Sequence, residues 1–321
     1  MQMNMVSALN SALDIALSED EKVVLLGEDI AKDGGVFRVT DGLFQKYGGD
    51  RVMDTPLAES GIAGVSIGMA LAGLRPIAEM QFAGFMFLAF SQLVNHASRY
   101  RSRTRSTMSV PMIVRTPVSG GVRTLEHHSE SPEAYYSHMG GLIVVEPSNP
   151  YDAKGLMLRA VHTNDPVIFL EPTKLYRLFK QEVPEEPYEI EIGKAAKVRE
   201  GNDLTIITYG TMVPVVSSVV KKKNLDAEII DLRTINPLDE ETILASAKKT
   251  GKVAIVHEAS LSFGVGAEVS ARIAEKAVFE LEAPIVRIAS PSLPYPFPGY
   301  ENYYVPNEQK ISNGLDRLLG S

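Results

Sequence analysis

Short apolar runs alternate with segments of helical periodicity along the first half of the chain. The runs have no regular polar face, which is typical of strands buried on both sides in a parallel sheet covered by helices. We predict strands at 23–27, 76–80, 111–115, 142–146 and 167–171, and helices at 5–19, 57–73, 84–100, 131–139 and 150–162.

A different composition interrupts this alternation between residues 181 and 193. The segment contains two prolines and five glutamates, which indicates an exposed linker. The pattern therefore predicts an α/β protein with two parallel-sheet domains, 1–180 and 194–321, joined by the linker 181–193. In the second domain we predict strands at 204–209, 228–232, 253–257 and 285–288, and helices at 211–223, 239–250 and 264–280.

Residues 284–306 contain six prolines and five aromatic residues, so we predict that this segment is not helical. Aromatic residues are enriched in the cores of interfaces, so the segment is also a candidate surface for a partner. We favour the alternative that most of its rings pack against their own domain.

Composition narrows the class of protein. The net charge of −8 counts against general binding to nucleic acids or anionic membranes. Apolar runs stay short of the ~20 residues that span a bilayer, and the first residues lack the basic start of a signal peptide. The chain has no cysteine, which excludes thiolate chemistry and suits a cytoplasmic location. Its six histidines lack the spacing of a zinc site.

One carboxylate stands out because the residues around it are small and uncharged. Thr55 and Pro56 are residue types that favour a helix start, and no charged residue follows Glu59 as far as Gly73. A helix without charges is typically buried, so we expect Glu59 at the mouth of a buried helix, with a raised pKa. The alternative is that Glu59 only complements the helix dipole, as acidic residues in first turns often do.

Small residues lie on one face of this helix, at Gly61, Gly64, Gly68 and Ala72. Each interior glycine costs a helix about 1 kcal/mol relative to alanine, so their recurrence indicates that another backbone approaches this face. That backbone belongs either to the same chain or to a second subunit.

Three further features are candidates for a ligand site. Gln81 and Phe85 follow a predicted strand, where open α/β sheets bind ligands, although the pattern favours the core for Phe85 together with Phe82, Phe87 and Phe90. His128 lies near a predicted helix start and can exchange protons, although a lone histidine is usually structural. The third feature is a run rich in arginine, either a solvated loop or a loop at a cleft that attracts anions. Its arginines are Arg99, Arg101, Arg103, Arg105, Arg115 and Arg123.

Several short segments, in order along the chain, resemble a known family. The chain is similar, nearly end to end, to the β subunit of the thiamine-diphosphate-dependent decarboxylase component of 2-oxo acid dehydrogenase complexes. The segments are Gly27-Glu28-Asp29, Gly34-Gly35-Val36-Phe37, Arg51-Val52-Met53-Asp54-Thr55-Pro56, Glu59-Ser60-Gly61-Ile62-Ala63-Gly64, His128-Ser129, Asp152-Ala153-Lys154-Gly155-Leu156 and Asp231-Leu232-Arg233-Thr234.

The resemblance implies a thiamine-pyrimidine-binding domain followed by a transketolase-type C-terminal domain. In this family the thiamine diphosphate lies between subunits, and an α subunit holds its diphosphate and Mg²⁺ through a motif that begins Gly-Asp-Gly. The chain lacks that motif. We therefore expect an obligate α subunit in an α2β2 heterotetramer, together with a lipoyl acyltransferase core.

The resemblance also implies roles for individual residues. Glu59 matches the family's cofactor-activating glutamate, and His128 matches a histidine implicated in acyl transfer to the lipoyl group. Leu57, Gln81 and Phe85 match positions that line the pyrimidine pocket. Some relatives bind potassium through backbone carbonyls, and the matching positions here are Met112, Ala160, Thr163 and Asp165.

Within the family, residues 78–83, 168–172 and 175–177 look most like the branched-chain branch. We therefore expect oxidative decarboxylation of a branched-chain 2-oxo acid and reductive acylation of a lipoyl domain. Phe85 departs from the tyrosine typical of that branch. The close alternatives are a pyruvate or acetoin dehydrogenase β subunit. A more distant one is a chain that serves chiefly as a docking scaffold for the acyltransferase core.

Overall fold

The computed structural model describes residues 1–320, which form two large sheets and one small sheet. Most of the strands are short, and they alternate with helices along the chain. In chain order the strands are β1 (Gln2–Met3), β2 (Val23–Gly27), β3 (Val52–Asp54), β4 (Arg75–Glu79), β5 (Ile113–Val118), β6 (Ile143–Val145), β7 (Val167–Pro172), β8 (Gln181–Glu182), β9 (Ala196–Arg199), β10 (Leu204–Thr208), β11 (Ala227–Asp231), β12 (Thr234–Asn236), β13 (Val253–Ser260) and β14 (Val286–Ser290).

The helices range from single turns to segments of four turns. Every helix within residues 1–320 is too short or too polar to cross a bilayer. In chain order they are α1 (Met5–Glu19), α2 (Leu43–Tyr47), α3 (Glu59–Leu71), α4 (Ala83–Met86), α5 (Tyr100–Arg103), α6 (Glu133–Ser137), α7 (Pro150–Val161), α8 (Met212–Lys223), α9 (Glu240–Thr250), α10 (Val265–Ala277), α11 (Glu301–Tyr304) and α12 (Glu308–Leu319).

The two large sheets confirm the predicted α/β class with mainly parallel strands. The first has the order β12-β6-β7-β5-β4-β2-β3, and the second has the order β14-β13-β10-β11-β9. Each sheet also has one antiparallel edge strand, β12 and β9, that the apolar pattern did not predict. Both edge strands are short, and β9 is largely exposed, so neither produces a long apolar run.

Strand β12 also crosses the predicted domain boundary. It lies in the predicted second domain, yet it hydrogen-bonds to β6 of the first sheet. One apolar cluster likewise contains Val144 and Ile168 from the first half and Ile207 and Ile230 from the second. The two halves therefore share a continuous core.

Both faces of the first sheet are covered, as the pattern predicts. The neighbouring residues Leu25 and Leu26 of β2 belong to different apolar clusters, because successive side chains of a strand point to opposite faces. Helices α1 and α7 contribute to one cluster, and helix α3 contributes to the other. The packing of α3 on this sheet thereby fixes the position of Glu59, the first residue of the helix.

The segment predicted as one helix at 84–100 is instead broken. It consists of α4, a π-helical turn at Gln92–His96, α5 and short 3-10 turns between them. The segment has large apolar residues on every side, so no single buried face favours one straight helix. The other predicted helices and strands lie within three residues of their observed ends.

Two predicted irregular segments also need correction. The linker is not simply exposed, because Val183 is fully buried and Lys154 of α7 donates to the Pro184 and Glu185 carbonyls at 2.7 and 2.8 Å. The proline-rich segment contains helix α11, which forms where four residues without proline follow one another. Three of its five rings are largely exposed, so packing within its own domain is wrong for Phe297, Tyr300 and Tyr303.

Candidate functional site

Three adjacent parallel strands end at one edge of the first sheet. Gly27 at the end of β2 lies opposite Asp54 of β3 on one side and Glu79 of β4 on the other. After β2 the chain thus forms β3 on one side of β2 and then crosses over to form β4 on the other side. Ligands of open α/β sheets bind at such a switch point, outside the carboxyl ends of the strands.

The loops that leave these strands bring two carboxylates together. Glu59 is 4% exposed, and Glu28 directly after β2 is 5% exposed. Burial raises the pKa of Glu28, and the charges of Glu59 and Asp29 raise it further. The Oε1 atom of Glu28 is buried without a hydrogen-bond partner among residues 1–320. Buried polar atoms normally have partners, so this atom indicates a group that the chain alone does not provide.

The start of α3 differs from the prediction. The helix begins at Glu59 with Ala58 as its N-cap residue, so Thr55 lies too far upstream to cap it. The Thr55 N–H instead donates to the Gly27 carbonyl at 2.9 Å, which continues the pairing of β3 with β2. Glu59 nevertheless stands at the mouth of the helix, as predicted.

Gln81 links the ends of β4 and β2. Its Nε2 atom donates to the Asp29 Oδ2 atom at 3.0 Å. Asp29 has a φ of +57°, a left-handed conformation that turns the chain sharply after Glu28. The amide of Gln81 and the acids Glu28, Asp29 and Glu59 therefore form the polar side of the site.

An aromatic group forms the other side. The ring of His128 lies 4.1 Å from that of Phe82 and 5.4 Å from that of Phe85, both edge to face. The Nδ1 atom of His128 is buried without a partner within the described residues 1–320. A Cβ atom at Gly84 would overlap the carbonyl of His127, so glycine is needed for this close approach.

Glu28, Asp29 and Phe82 were not predicted as site residues. Glu28 and Asp29 directly follow an apolar strand, the same signal that pointed to Gln81. Phe82 was assigned to the core, and its 9% exposure agrees with burial, but its ring also contacts His128.

Leu57 does not join this buried group, since it is 79% exposed. The small-residue face of α3 is open as well: apart from adjacent residues and the backbone of α3 itself, no atom of residues 1–320 lies within 4 Å of a Cβ built on Gly64 or Gly68. Val65 on the same helix is 53% exposed. Packing of this face within one chain is therefore wrong.

The arginine-rich run does not form a single anion-binding loop. Arg115 is buried in β5, where its Nε and Nη2 atoms donate to the two Glu171 oxygens at 2.6 Å and Nη1 pairs with Glu79. Arg101 pairs with Asp165 at 2.6 Å in a partly exposed position. The acids that pair with Arg115 and Arg101 come from distant parts of the sequence. The absence of acidic residues near these arginines in the sequence therefore did not mean that the arginines are unpaired.

The predicted potassium ligands lie at the opposite, amino edge of the first sheet. Met112 directly precedes β5, and Asp165 closely precedes β7. The Ala160 carbonyl accepts the Thr163 N–H at 3.0 Å, and the Thr163 carbonyl accepts Arg75 Nη1 at 3.1 Å. Neutral carbonyls suit a large monovalent cation, but Arg75 already brings a positive charge to one of them. Within residues 1–320, no group of three or more acidic or histidine side chains could hold a metal ion.

Further buried acids lie between the two halves. Glu133 at the start of α6 is 2% exposed and accepts the Tyr209 hydroxyl at 2.7 Å. Burial raises the pKa of Glu133 to about 7. Burial also raises the pKa of Glu146, and the charge of Glu133 raises it further.

Comparison with known families matches both halves of the chain. Residues 1–178 match the family "Transketolase, pyrimidine binding domain", and residues 193–311 match "Transketolase, C-terminal domain". A solved structure titled "Split gene transketolase, inactive beta4 tetramer" has a TM-score of 0.80 at 21% identity and covers 100% of this chain and 99% of that one. This likeness shows the fold.

Curated relatives match over nearly the whole chain. The "Pyruvate dehydrogenase E1 component subunit beta" of Acholeplasma laidlawii is 50% identical over 317 residues, which are 98% of this chain and 97% of that protein. The proteins with the same description from Staphylococcus epidermidis and Staphylococcus aureus are each 48% identical over 313 residues, 97% of this chain and 96% of theirs.

Proposed function

The chain belongs to the β subunits of the decarboxylase (E1) component of 2-oxo acid dehydrogenases, and we propose that it works with an α subunit on pyruvate. The products are carbon dioxide and an acetyl group carried by a lipoyl domain of the acyltransferase core. The observation that carries this proposal is the burial of Glu59 beside Glu28 at the switch point of the first sheet. A first-turn glutamate that served only the helix dipole would not need to be buried there.

Thiamine diphosphate is the cofactor that the family implies, and the residues present suit it. The unpartnered Glu28 oxygen, the Gln81 amide and the Phe85 ring supply an acid, an amide and a flat apolar surface near Glu59. When bound, thiamine diphosphate acts as an electron sink for the pair of electrons left by decarboxylation. Glu59 is proposed to hold the proton shared with a ring nitrogen of the aminopyrimidine, and burial strengthens that hydrogen bond.

The open face of α3 supports a partner subunit. Gly64 and Gly68 leave room for a second backbone, and the exposed Val65 of α3 and Leu57 just before it offer apolar surface. We propose that another subunit of an α2β2 assembly covers this face. Leu57 would then reach the pyrimidine pocket only in the assembly.

Family membership is also the basis for the metal proposals. We propose that the α subunit holds the diphosphate and Mg²⁺. A potassium ion at the carbonyls of Met112, Ala160, Thr163 and Asp165 stays a prediction, as does the cytoplasmic location.

Pyruvate is favoured over branched-chain substrates by the relatives at 48–50% identity. The branched-chain alternative rests on the segments 78–83, 168–172 and 175–177. Phe85 counts against it, because the hydroxyl of the tyrosine typical of that branch is missing.

The test is reconstitution of the chain with its α subunit, thiamine diphosphate and Mg²⁺. We expect carbon dioxide release from pyruvate by the mixture, and none from either subunit alone. Faster carbon dioxide release from branched 2-oxo acids than from pyruvate would overturn the proposal that pyruvate is the substrate. Full activity of the α subunit alone would overturn the catalytic role and favour a docking scaffold.

A further inference from the structure

The loop that carries His128 is closed at its base. The Ser119 N–H donates to the Glu130 carbonyl at 2.9 Å, so residues 119–130 form a compact loop that leaves and rejoins the fold at one point. The His128 end of the loop lies against Phe82 and Phe85. Loops of this kind depend on contacts with a rigid neighbour for their position.

The other end of the loop is held by the C-terminal half of the chain. The Gly120 N–H donates to Glu258 Oε1 at 2.6 Å, and the Gly121 N–H donates to the Tyr295 hydroxyl at 3.2 Å. The Arg123 N–H donates to Glu301 Oε1 at 3.2 Å. We call the three acceptors, Glu258, Tyr295 and Glu301, the clasp.

The residues of the clasp have further hydrogen bonds of their own. The Tyr295 hydroxyl donates to Glu301 Oε1 at 2.9 Å, so these two acceptors support each other. Glu258 also accepts the Thr211 hydroxyl at 2.8 Å. Glu258 and Glu301 are 6% and 5% exposed, and buried carboxylates make strong hydrogen bonds to backbone N–H groups.

The loop sequence fits this arrangement. A Cβ atom at Gly120 would overlap the Tyr295 hydroxyl, so the close approach needs a glycine. Gly121 has a φ of +86°, which favours glycine for a second reason.

Beyond the clasp the loop is held by hydrogen bonds within itself, such as those of the Ser129 hydroxyl with the Thr124 hydroxyl at 2.8 Å and with the Leu125 carbonyl at 3.2 Å, while two of its apolar side chains are exposed. Val122 is 38% exposed and Leu125 is 54% exposed. A cavity of about 340 Å³ opens between Arg123 and the segment 298–302, so this part of the loop has room to move. Segments with few buried contacts open most easily, so the position of the Gly120–Arg123 end of the loop depends on the clasp.

We propose that Tyr295 and Glu301 are positioning residues that hold the 119–130 loop so that His128 stays against Phe82. The proposal rests on the proposed function and on the part in acyl transfer that the family resemblance implies for His128. Neither residue touches the predicted cofactor site.

The test compares Tyr295→Phe with Tyr304→Phe in the reconstituted assembly. Both changes remove one hydroxyl and keep the ring, and the two rings pack together with centroids 5.1 Å apart. The Tyr304 hydroxyl donates to the Leu293 carbonyl and does not bond the loop. Tyr304→Phe is therefore a matched control.

Two readouts are measured. Hydrogen exchange at the Gly121 and Arg123 amides should be about tenfold faster in Tyr295→Phe and unchanged in the control, as expected for one lost hydrogen bond. Acetyl transfer to a lipoyl domain should fall about tenfold, while decarboxylation with an artificial electron acceptor stays within about twofold. Glu301→Gln, which keeps a carbonyl acceptor, should retain more transfer than Glu301→Ala.

The outcomes separate the two proposals. Unchanged exchange in Tyr295→Phe would overturn the clasp whatever the activity. Faster exchange with undiminished acetyl transfer would overturn the positioning role. An inactive wild-type assembly would overturn the proposed function, and the exchange result would still decide whether the clasp orders the loop.

Discussion

The imidazole ring of His128 stands edge-on against the phenyl ring of Phe82, with ring centroids 4.1 Å apart and ring planes at 73°. Phe82 directly follows Gln81, whose amide bonds Asp29 on the acidic side of the site. The turn after β4 therefore connects the two groups of site residues. A shift of this turn would move both the acidic residues and the histidine.

The first prediction concerns Glu59. Glu59→Gln in the reconstituted assembly should lower decarboxylation by at least about 100-fold with thiamine diphosphate still bound, because an amide cannot hold the shared proton. Steady-state rates and cofactor titration measure this. Glu241→Gln is the control, since Glu241 is also in a first helix turn but its side chain is 89% exposed. Near wild-type decarboxylation by Glu59→Gln would refute the role.

The second prediction concerns the open face of α3. Gly64→Ala should stabilise the isolated chain by up to about 1 kcal/mol, because alanine favours the helix and its Cβ meets no atom of residues 1–320 within 4 Å apart from adjacent residues and the backbone of α3 itself. The same change should weaken assembly with the α subunit, measured by size-exclusion chromatography.

Gly155→Ala provides the contrast for this experiment. Its Cβ atom would lie 2.7 Å from an Ile190 side-chain carbon, so it should destabilise the isolated chain. If Gly64→Ala left assembly unchanged, this face of α3 would not be a subunit interface.

The third prediction concerns the buried pairs of Arg115. Arg115→Met should lower the free energy of unfolding by about 3–5 kcal/mol, because Glu79 and Glu171 would be left buried without their cation. Arg101→Met, whose pair with Asp165 is partly exposed, should cost less than about 1 kcal/mol. Urea unfolding of the two variants measures the difference. An equal loss of unfolding free energy in the two variants would show that the buried ion pairs of Arg115 contribute no more to stability than the partly exposed pair of Arg101.

The fourth prediction concerns pH. The pKa of Glu133 is raised to about 7, so its contribution to stability is complete below about 4.5 and is lost as the pH rises through 7. Besides burial, the charge of Glu258 raises the pKa of Glu133, and the Tyr209 hydroxyl that donates to Glu133 lowers it. The charge of Glu133 in turn adds to the effect of burial in raising the pKa of Glu146. Glu133→Gln stays neutral and keeps an acceptor for Tyr209.

Relative to wild type, Glu133→Gln should therefore gain up to about 3 kcal/mol between pH 5 and pH 8. Thermal unfolding across this range measures the gain. Parallel stability curves for the two proteins would show that Glu133 ionises in the folded chain as it does in the unfolded one.

Capping residues and apolar spacing in the sequence predicted the elements that depend on them. Helix α1 and strand β2 have the predicted ends. For α1 the Asn4 side chain accepts the Ser7 N–H at 2.9 Å, and Leu9, Leu13 and Leu17 recur at helical spacing on its buried face. Residues 84–100 have no such face, so contacts with the rest of the fold determine where the helical turns of this region begin and end.

The same distinction applies to the site. Glu59 was predictable because it starts a helix with no further charge, and Gln81 because it follows a strand of the parallel sheet. The proximity of Glu28 to Glu59, the contact of His128 with Phe82 and the acids that neutralise Arg115 join distant parts of the sequence. No local pattern encodes them, and the Thr55 cap was wrong because the chain continues β3 before it turns into α3.

The position of β12 has a consequence for any shortened form of the protein. A chain cut in the linker would lose Thr234–Asn236 and leave β6 with free backbone groups along the outer border of the larger sheet. Such borders recruit strands from other molecules, so the amino-terminal piece alone should aggregate rather than stay monomeric. The carboxyl-terminal half thus also acts as a cover that keeps the first half from self-association.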